Sequence, residues 1–441
     1  MRIKMKQRLK YYLEESNLHG LKYAADDRRA WFVRAFWCVT FIVSFGIMLL
    51  LFYKSWIQFE ENAISFVTET TYLHWNTTFP AISVCPITGT EPEWDENEEF
   101  TDDEIDQQKQ FIADLVFFTG NCYSCYDDCE SCKTMNFTQK VLRYRKECKK
   151  IIIGCKWNKV DFDCCENFLP LETEYGVCYS FNSMHTNKNI KSTLDLTMNS
   201  NSGPGEIWFK NKEDIRVYFH APEDVPFINS DPDQRKDVML GETFNITISV
   251  IEINNDENVK NVPVYKRGCK FPWENEGLLV HKHYSYSACV VQCHAENHIF
   301  LCNCTHHLMP FYNKIEYCNR EGLRCLTDNF ETVNRLHAKG SGLNKPGLVC
   351  DCLPSCIEPE YKVVLDKKGS AMKSSENEVL INIIGLPTTR FKRIVLRSLL
   401  DLVVSVGGTA GLFIGASLLS IFEVFYLLRF GQPKGKKNKY Y

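Results

Sequence analysis

The run Gly407-Gly408-Thr409-Ala410-Gly411-Leu412-Phe413-Ile414-Gly415-Ala416-Ser417 offers backbone chemistry rather than side-chain chemistry. Its glycines at 407, 411 and 415 recur every four residues, so on a helix they form one face without side chains. Such a face lets helices approach closely in a membrane. Glycine also lets a helix unwind and turn carbonyls toward a ligand, and a ring of carbonyls at membrane depth replaces the hydration shell of a cation. Taken alone, the run fits a packing face at least as well as an ion site. Other chemistry is sparse. The chain has no phosphate-binding glycine loop, no H-E-x-x-H and no nucleophile elbow, and it pairs no two carboxylates in an apolar setting. It does not read as an enzyme, and nothing in it calls for a cofactor. His294, His298, His306 and His307 are expected as scattered surface histidines, with a regulatory metal or proton site as the alternative; no metal site is assigned.

Two uncharged runs must position this chemistry. Ala35 to Tyr53 is 19 residues long and Leu402 to Phe422 is 21, each about enough to cross a hydrocarbon core of roughly 30 Å as a helix. The first starts late and lacks a small-residue cleavage site, so it reads as a signal anchor. Residues 1–34 carry nine Lys and Arg against four acids, and residues 429–441 carry five and no acid. Both ends therefore belong in the cytoplasm. Their basic residues could also touch anionic lipid, although a solvated tail explains them as well. The remaining chain is strongly acidic, which excludes nucleic acid as a partner and would gather cations near a pore mouth.

The cysteines fit that topology. One of the 21, Cys38, lies in the first run, and the other 20 lie between the runs. An even number in a large extracellular segment reads as a disulfide framework. In Cys122-x2-Cys125-x3-Cys129-x2-Cys132 the central gap is too short for a zinc ribbon. Sequons at Asn76, Asn136, Asn245 and Asn303 fall in the same segment as candidate glycosylation sites. Within it, Phe79 to Cys85 alternates like a strand, and Glu91 to Asp106 packs ten acids into sixteen residues as a solvated flap. Residues 107–170 suggest a disulfide-tied helical projection. Residues 175–184, 205–253, 361–365 and 379–384 alternate again, and residues 269–356 hold ten cysteines around short helical segments such as Ser287 to Phe300.

This order of landmarks resembles the degenerin/epithelial sodium channel superfamily. The match runs from His19-Gly20 through Phe79-Pro80-Ala81 with Cys85 to Tyr175-Gly176-Val177-Cys178-Tyr179-Ser180-Phe181-Asn182. It continues through Cys289-x3-Cys293, Cys302-x-Cys304, Met309-Pro310 and Cys350-x-Cys352-x3-Cys356, and ends at Gly407-Gly408, Gly415-Ala416-Ser417 and Glu423. The pattern Asp163-Cys164-Cys165-Glu166-Asn167-Phe168 and the short ends look most like the insect pickpocket branch. The resemblance implies an α+β membrane protein: two transmembrane helices flanking a large disulfide-rich ectodomain, with palm and β-ball strands and finger and thumb helices, assembled as a trimer. The expected layout is a cytoplasmic segment 1–34, a first transmembrane helix 35–53, an ectodomain 54–397, a second transmembrane helix 398–428 and a cytoplasmic tail 429–441. It further implies the pairs Cys85–Cys178, Cys155–Cys165, Cys269–Cys356, Cys289–Cys352, Cys293–Cys350, Cys302–Cys325 and Cys304–Cys318. The connectivity of Cys122, Cys125, Cys129, Cys132, Cys148 and Cys164 stays open.

By the same resemblance, Gly415, Ala416 and Ser417 form a selectivity filter, Gly411 belongs to the pore helix, and His19-Gly20 is a re-entrant gating turn beneath the filter. Glu423 lies two turns beyond Gly415 and faces the pore or its vestibule; capping or a pair with Arg429 is the alternative. Acid-sensing relatives carry Asp where this chain has Ser405, and the neighbouring Val404 falls at a gating position that usually holds a small side chain. A bulky residue there suggests constitutive current; a valine accommodated at a slightly shifted site is the alternative. Tyr265 is expected to couple the thumb to the wrist through Tyr53, which reads equally well as an interfacial aromatic. The expected function is an amiloride-sensitive, sodium-selective channel subunit of the plasma membrane, gated through its ectodomain and sensory in role. Its partners would be permeating Na+, the lipid bilayer and related subunits in a homo- or heterotrimer. A non-conducting auxiliary subunit or surface receptor is the alternative, and the gating stimulus is not specified by sequence.

Overall fold

The computed structural model describes residues 10–430, apart from 62, 72–73, 88–104, 128, 130–131, 133–134, 187–193, 311–315, 338–346 and 371–375. Nearly all of the acidic run from Glu91 to Asp106 lies outside the described residues, as do residues 1–9 and 431–441 of the two basic ends. The chain divides into two compact units.

The first unit comprises residues 1–66, 256–267 and 393–441. Its longest element is α2 (Trp31–Glu61), preceded by the short α1 (Leu21–Ala25). Only Met48 of α2 is buried, while Phe36, Ile42, Val43 and Leu50 stand exposed. A helix that is apolar all round needs lipid or other protein against it. The helix outruns the expected Ala35–Tyr53 at both ends, because Trp31–Arg34 and the amphipathic Lys54–Glu61 continue its hydrogen bonding. Trp37 of α2 receives α1 through Tyr23, whose ring centroid lies 5.0 Å away. α2 is long and apolar enough to cross a membrane. α7 (Leu399–Ile414) and α8 (Leu418–Phe430) meet that criterion only together, and they are bent by 63° at the break between them. A capping box starts α7: Ser398 Oγ accepts from the Asp401 N–H, and the Asp401 carboxylate accepts from the Ser398 N–H at 2.9 Å.

The second unit comprises residues 67–255 and 268–392, so the unit boundary falls inside β1 (Ile64–Glu69) and β15 (Arg390–Val395). The larger sheet runs in the order β1, β15, β12 (Glu242–Asn255), β14 (Asn377–Ile383), β9 (Glu206–Asn211), β4 (Ile152–Trp157) and β5 (Val160–Phe162), and β13 (Glu360–Ser370) also pairs with β12. The short β2 (Thr77–Thr78) and β8 (Thr197–Met198) pair with each other as a two-stranded sheet. Alternation explains the core. Phe244, Ile246 and Ile248 of β12, Val379 and Ile381 of β14, and Ile207 and Phe209 of β9 all turn inward. Burying each such side chain contributes about 1.5–3 kcal/mol. The second sheet, β11-β10-β3-β7-β6, joins β3 (Ala81–Pro86), β6 (Leu169–Thr173), β7 (Gly176–Phe181), β10 (Ile215–His220) and β11 (Arg235–Val238).

Helices tied by disulfides complete this unit. α3 (Ile105–Val116) and α4 (Phe137–Tyr144) pack with α6 (Arg320–Asp328) around Phe111, Leu115 and Cys122, Cys125, Cys129 and Cys132. α5 (Tyr286–Cys302) is capped by the Ser285 side chain and closed by Asn303 in the left-handed conformation. The bridges are Cys85–Cys178, Cys269–Cys356, Cys289–Cys352, Cys293–Cys350, Cys302–Cys325 and Cys304–Cys318, together with Cys122–Cys125 and Cys129–Cys132. One expected pair is corrected. Cys165 bonds Cys148, and Cys155 bonds Cys164. Asp163 caps the turn Cys164–Asn167 and sets its two adjacent cysteines to different neighbours: Cys164 toward β4 and Cys165 toward the turn Cys148–Ile151. Nor are residues 107–170 wholly a helical projection, because β4, β5 and the first two residues of β6 belong to the sheets.

Candidate functional site

The break between α7 and α8 is built by three small residues. Gly415 takes φ +69°, a left-handed conformation that L side chains rarely adopt. Its N–H and that of Ala416 fold back to the carbonyls of Gly411 and Ala410 at 3.0 and 3.2 Å. Ser417 starts α8 by accepting from the Ser420 N–H, and Ser420 Oγ accepts the Ser417 N–H at 3.0 Å. Among the described residues no hydrogen bond reaches the carbonyls of Gly415 and Ala416. A Cβ placed on Gly411 would stand 3.8 Å from the Ala416 carbonyl. The break therefore carries free acceptor oxygens on either side of Ala416 and a serine hydroxyl just beyond. Backbone oxygens of this kind suit a partly dehydrated cation.

The amino-terminal segment lies directly on this break. Gly20 has φ +85°, and a Cβ there would meet the Trp37 ring at 3.3 Å. That turn directs the His19 N–H to the Ile414 carbonyl at 3.0 Å. The His19 ring would lie 2.8 Å from a Cβ on Gly415, so the two positions are sterically interlocked. One turn below, Asn17 Nδ2 donates to Glu423 Oε1 at 3.0 Å. Glu423 makes no ion pair with Arg429 among the described residues; Asn17 is its partner, a residue that no sequence motif singles out.

Toward the other end of α7, Ser405 Oγ lies 3.3 Å from Ser55 Oγ of α2, and its carbonyl accepts from the Thr409 hydroxyl. Val404 is 64% exposed. Gly407 and Gly408 likewise have open space around them. Tyr53 and Tyr265 are both exposed, and no ring contact joins them among the described residues. The next residue makes the connection instead. Lys266 Nζ lies 2.9 Å from Glu60 and 4.1 Å from the Phe59 ring centroid, both on the last turns of α2.

The four cysteine-region histidines are not on the surface. His294, His298, His306 and His307 are at most 7% exposed. His294 Nδ1 lies 2.6 Å from the buried Glu174 carboxylate, and the rings of His298 and His306 are 5.3 Å apart. Burial pushes His298 down to about 3 and His307 to about 4. Among the described residues no group of three or more His, Cys, Asp or Glu side chains is arranged to hold a metal ion. Asn76, Asn136 and Asn303 are exposed, whereas Asn245 is half-buried in β12 between β13 and β14.

A family profile described as "ASC: Amiloride-sensitive sodium channel" matches residues 12–427. Sodium channel protein Nach of Drosophila ananassae is 22% identical over 93% of the chain and 84% of its own length. Pickpocket protein 28 of Drosophila melanogaster is 22% identical over 97% of the chain and 79% of its own length. Acid-sensing ion channel 2 of Danio rerio is 24% identical over 66% of the chain and 56% of its own length. A solved structure of a proton-activated chloride channel aligns with 89% of the chain at 6% identity, with a TM-score of only 0.24.

Proposed function

The chain belongs to the amiloride-sensitive sodium channel family, and from that premise we propose that it is a subunit of a sodium-selective cation channel gated through its ectodomain. The observation that carries this reading is the interrupted helix at Gly415-Ala416-Ser417, with His19 docked against it. α2 and the bent pair α7–α8 would be two spans of the plasma membrane, with both termini in the cytoplasm. Three copies would surround the axis, each contributing the carbonyls of the break. Small residues keep that ring narrow, and an Na+ that has lost part of its water shell would be held by oxygens rather than by fixed charge. His19 and the Asn17–Glu423 contact would brace the break from the cytoplasmic side.

Voltage clamp of cells expressing the chain, alone and with related subunits, tests this. The expected result is an inward Na+ current blocked by amiloride, whose reversal potential shifts toward that of K+ when Ser417 is replaced by a bulkier residue. A current insensitive to Ser417 substitution, or none with any partner despite surface expression, overturns the reading in favour of an auxiliary subunit.

A further inference from the structure

We propose that the cavity beneath the Tyr175-Gly176 turn is a binding site for a small organic carboxylate. The cavity has a volume of about 260 Å³, and its walls include Phe118, Arg145, Tyr175, Arg216 and Tyr218. The Cys85–Cys178 bridge ties β3 to β7 beside it, so the wall is preformed. Two features make it a site for an anion rather than an accidental gap.

The first is Arg145. Its Nε donates to the Val116 carbonyl at 3.1 Å, its Nη1 to Val177 at 3.2 Å and its Nη2 to Tyr175. All three acceptors are neutral, and among the described residues Arg145 has no carboxylate partner. Backbone carbonyls satisfy N–H groups without cancelling a unit charge. The other guanidinium of the cavity, Arg216, is already matched by Asp237 in a two-pronged pair with its shorter limb at 2.5 Å. The cavity wall therefore carries one uncompensated positive charge in poorly solvated surroundings, which also push Arg145 down to about 10.

The second is Tyr218. It is 2% exposed, and its hydroxyl lies near the Tyr175 hydroxyl and Arg216 without a well-formed hydrogen bond to any of the described residues. Buried polar groups are nearly always well bonded, so a hydroxyl with only poorly formed contacts, beside an uncancelled guanidinium, suits an added acceptor that carries negative charge. The stacked rings of Tyr175 and Tyr218, 5.8 Å apart, and the Phe118 side chain give that acceptor an apolar body to rest on. A volume of this size exceeds what a bare chloride fills, and a guanidinium fork matches a planar carboxylate.

Isothermal titration of the purified full-length chain with benzoate and with acetate tests the proposal, at constant ionic strength and with chloride titrated separately. Saturable benzoate binding is expected. It should weaken at least tenfold in Arg145→Gln, less in Arg145→Lys, and severalfold in Tyr218→Phe, which keeps the ring and removes only the hydroxyl. The absence of saturable benzoate binding to wild type overturns the proposal, as does binding that survives both Arg145→Gln and Tyr218→Phe. Chloride binding that depends on Arg145 without benzoate binding overturns the carboxylate assignment. None of these readouts requires current, so they stand apart from the test of conduction.

Discussion

At the scale of single residues, Gly415 is the position where sequence and geometry constrain each other most. Its φ of +69° alone makes a side chain cost about 1–3 kcal/mol, and the His19 ring then blocks the space a methyl would fill. Gly415→Ala should cut current at least tenfold while leaving surface expression, read by biotinylation, within about twofold. Gly411→Ala is the contrasting case, because its added methyl meets the Ala416 carbonyl at an ordinary contact distance of 3.8 Å. That variant should conduct, with a change in ion preference measured as a shift in reversal potential. Equal loss in both variants would mean that helix packing and not the break governs the phenotype. Asn17 and Glu423 give a second residue-scale prediction. If their 3.0 Å hydrogen bond holds the segment against α8, Asn17→Ala and Glu423→Gln should change open probability non-additively. Fully additive single effects would separate the two residues.

At the scale of elements, α5 and the loop after it carry a buried histidine group whose cost depends on pH. Burial holds His298 near 3 and His307 near 4, and it also holds His281 near 3 and His185 and His220 near 4 in the adjoining segments. In the unfolded chain these side chains would titrate near 6.5. The unfolded state therefore binds more protons between about pH 6.5 and 4. The stability contribution is complete above 6.5 and is lost as pH falls toward the folded values, by about 1.4 kcal/mol per pH unit for each proton. Glu223 opposes this, because burial raises it to about 7: its contribution is complete below 4.5 and is lost as pH rises through 7. Burial also depresses His306 and raises the Asp224 and Glu252 carboxyls, so six histidines stand against three carboxyls, and the melting temperature of the purified full-length chain should fall between pH 6.5 and 5. The double variant His298→Gln, His306→Gln should show a shallower fall, and an unchanged slope would reject the histidine group as its source. These histidines also mark what was legible. The strands at Phe244–Val250 and Val379–Ile383 announce themselves by alternation, whereas the glycine spacing alone fits a packing face and only the family resemblance marks Gly415-Ala416-Ser417 as a filter. The burial of His294 depends on Glu174, 120 residues away, and the partner of Glu423 comes from a segment with no motif. Such pairings are set by topology, which local pattern does not encode. The same limit explains Cys164 and Cys165, whose partners follow from a capped turn rather than from their order in the chain.

For the whole molecule, the decisive surface is the face of α7 left uncovered in a single chain. Val404, Gly408 and Gly411 follow one another at helical spacing on that face, and Gly407 and Gly408 have open space around them. An uncovered glycine face invites close approach of another helix, which is what three copies around an axis would supply. Val404, 64% exposed, would then meet its own copies near the outer half of the pore, where a branched side chain obstructs full closure. Ser405 adds no charge there, so cations entering this region would meet hydroxyls rather than a carboxylate ring. A cysteine at position 404 discriminates the possibilities, provided that Cys38, the single unpaired cysteine, is first replaced by alanine. In a Cys38→Ala background, Val404→Cys channels should be modified by a charged, water-soluble methanethiosulfonate reagent from outside, changing current severalfold within seconds. Modification should be faster when the channel is open. A lipid-facing position would be inert to that reagent, and a position sealed between helices would react at the same negligible rate in every state. Val404→Ala should in turn lower resting current relative to wild type. Equal resting currents would assign Val404 to packing and leave constitutive opening without a structural cause at this residue.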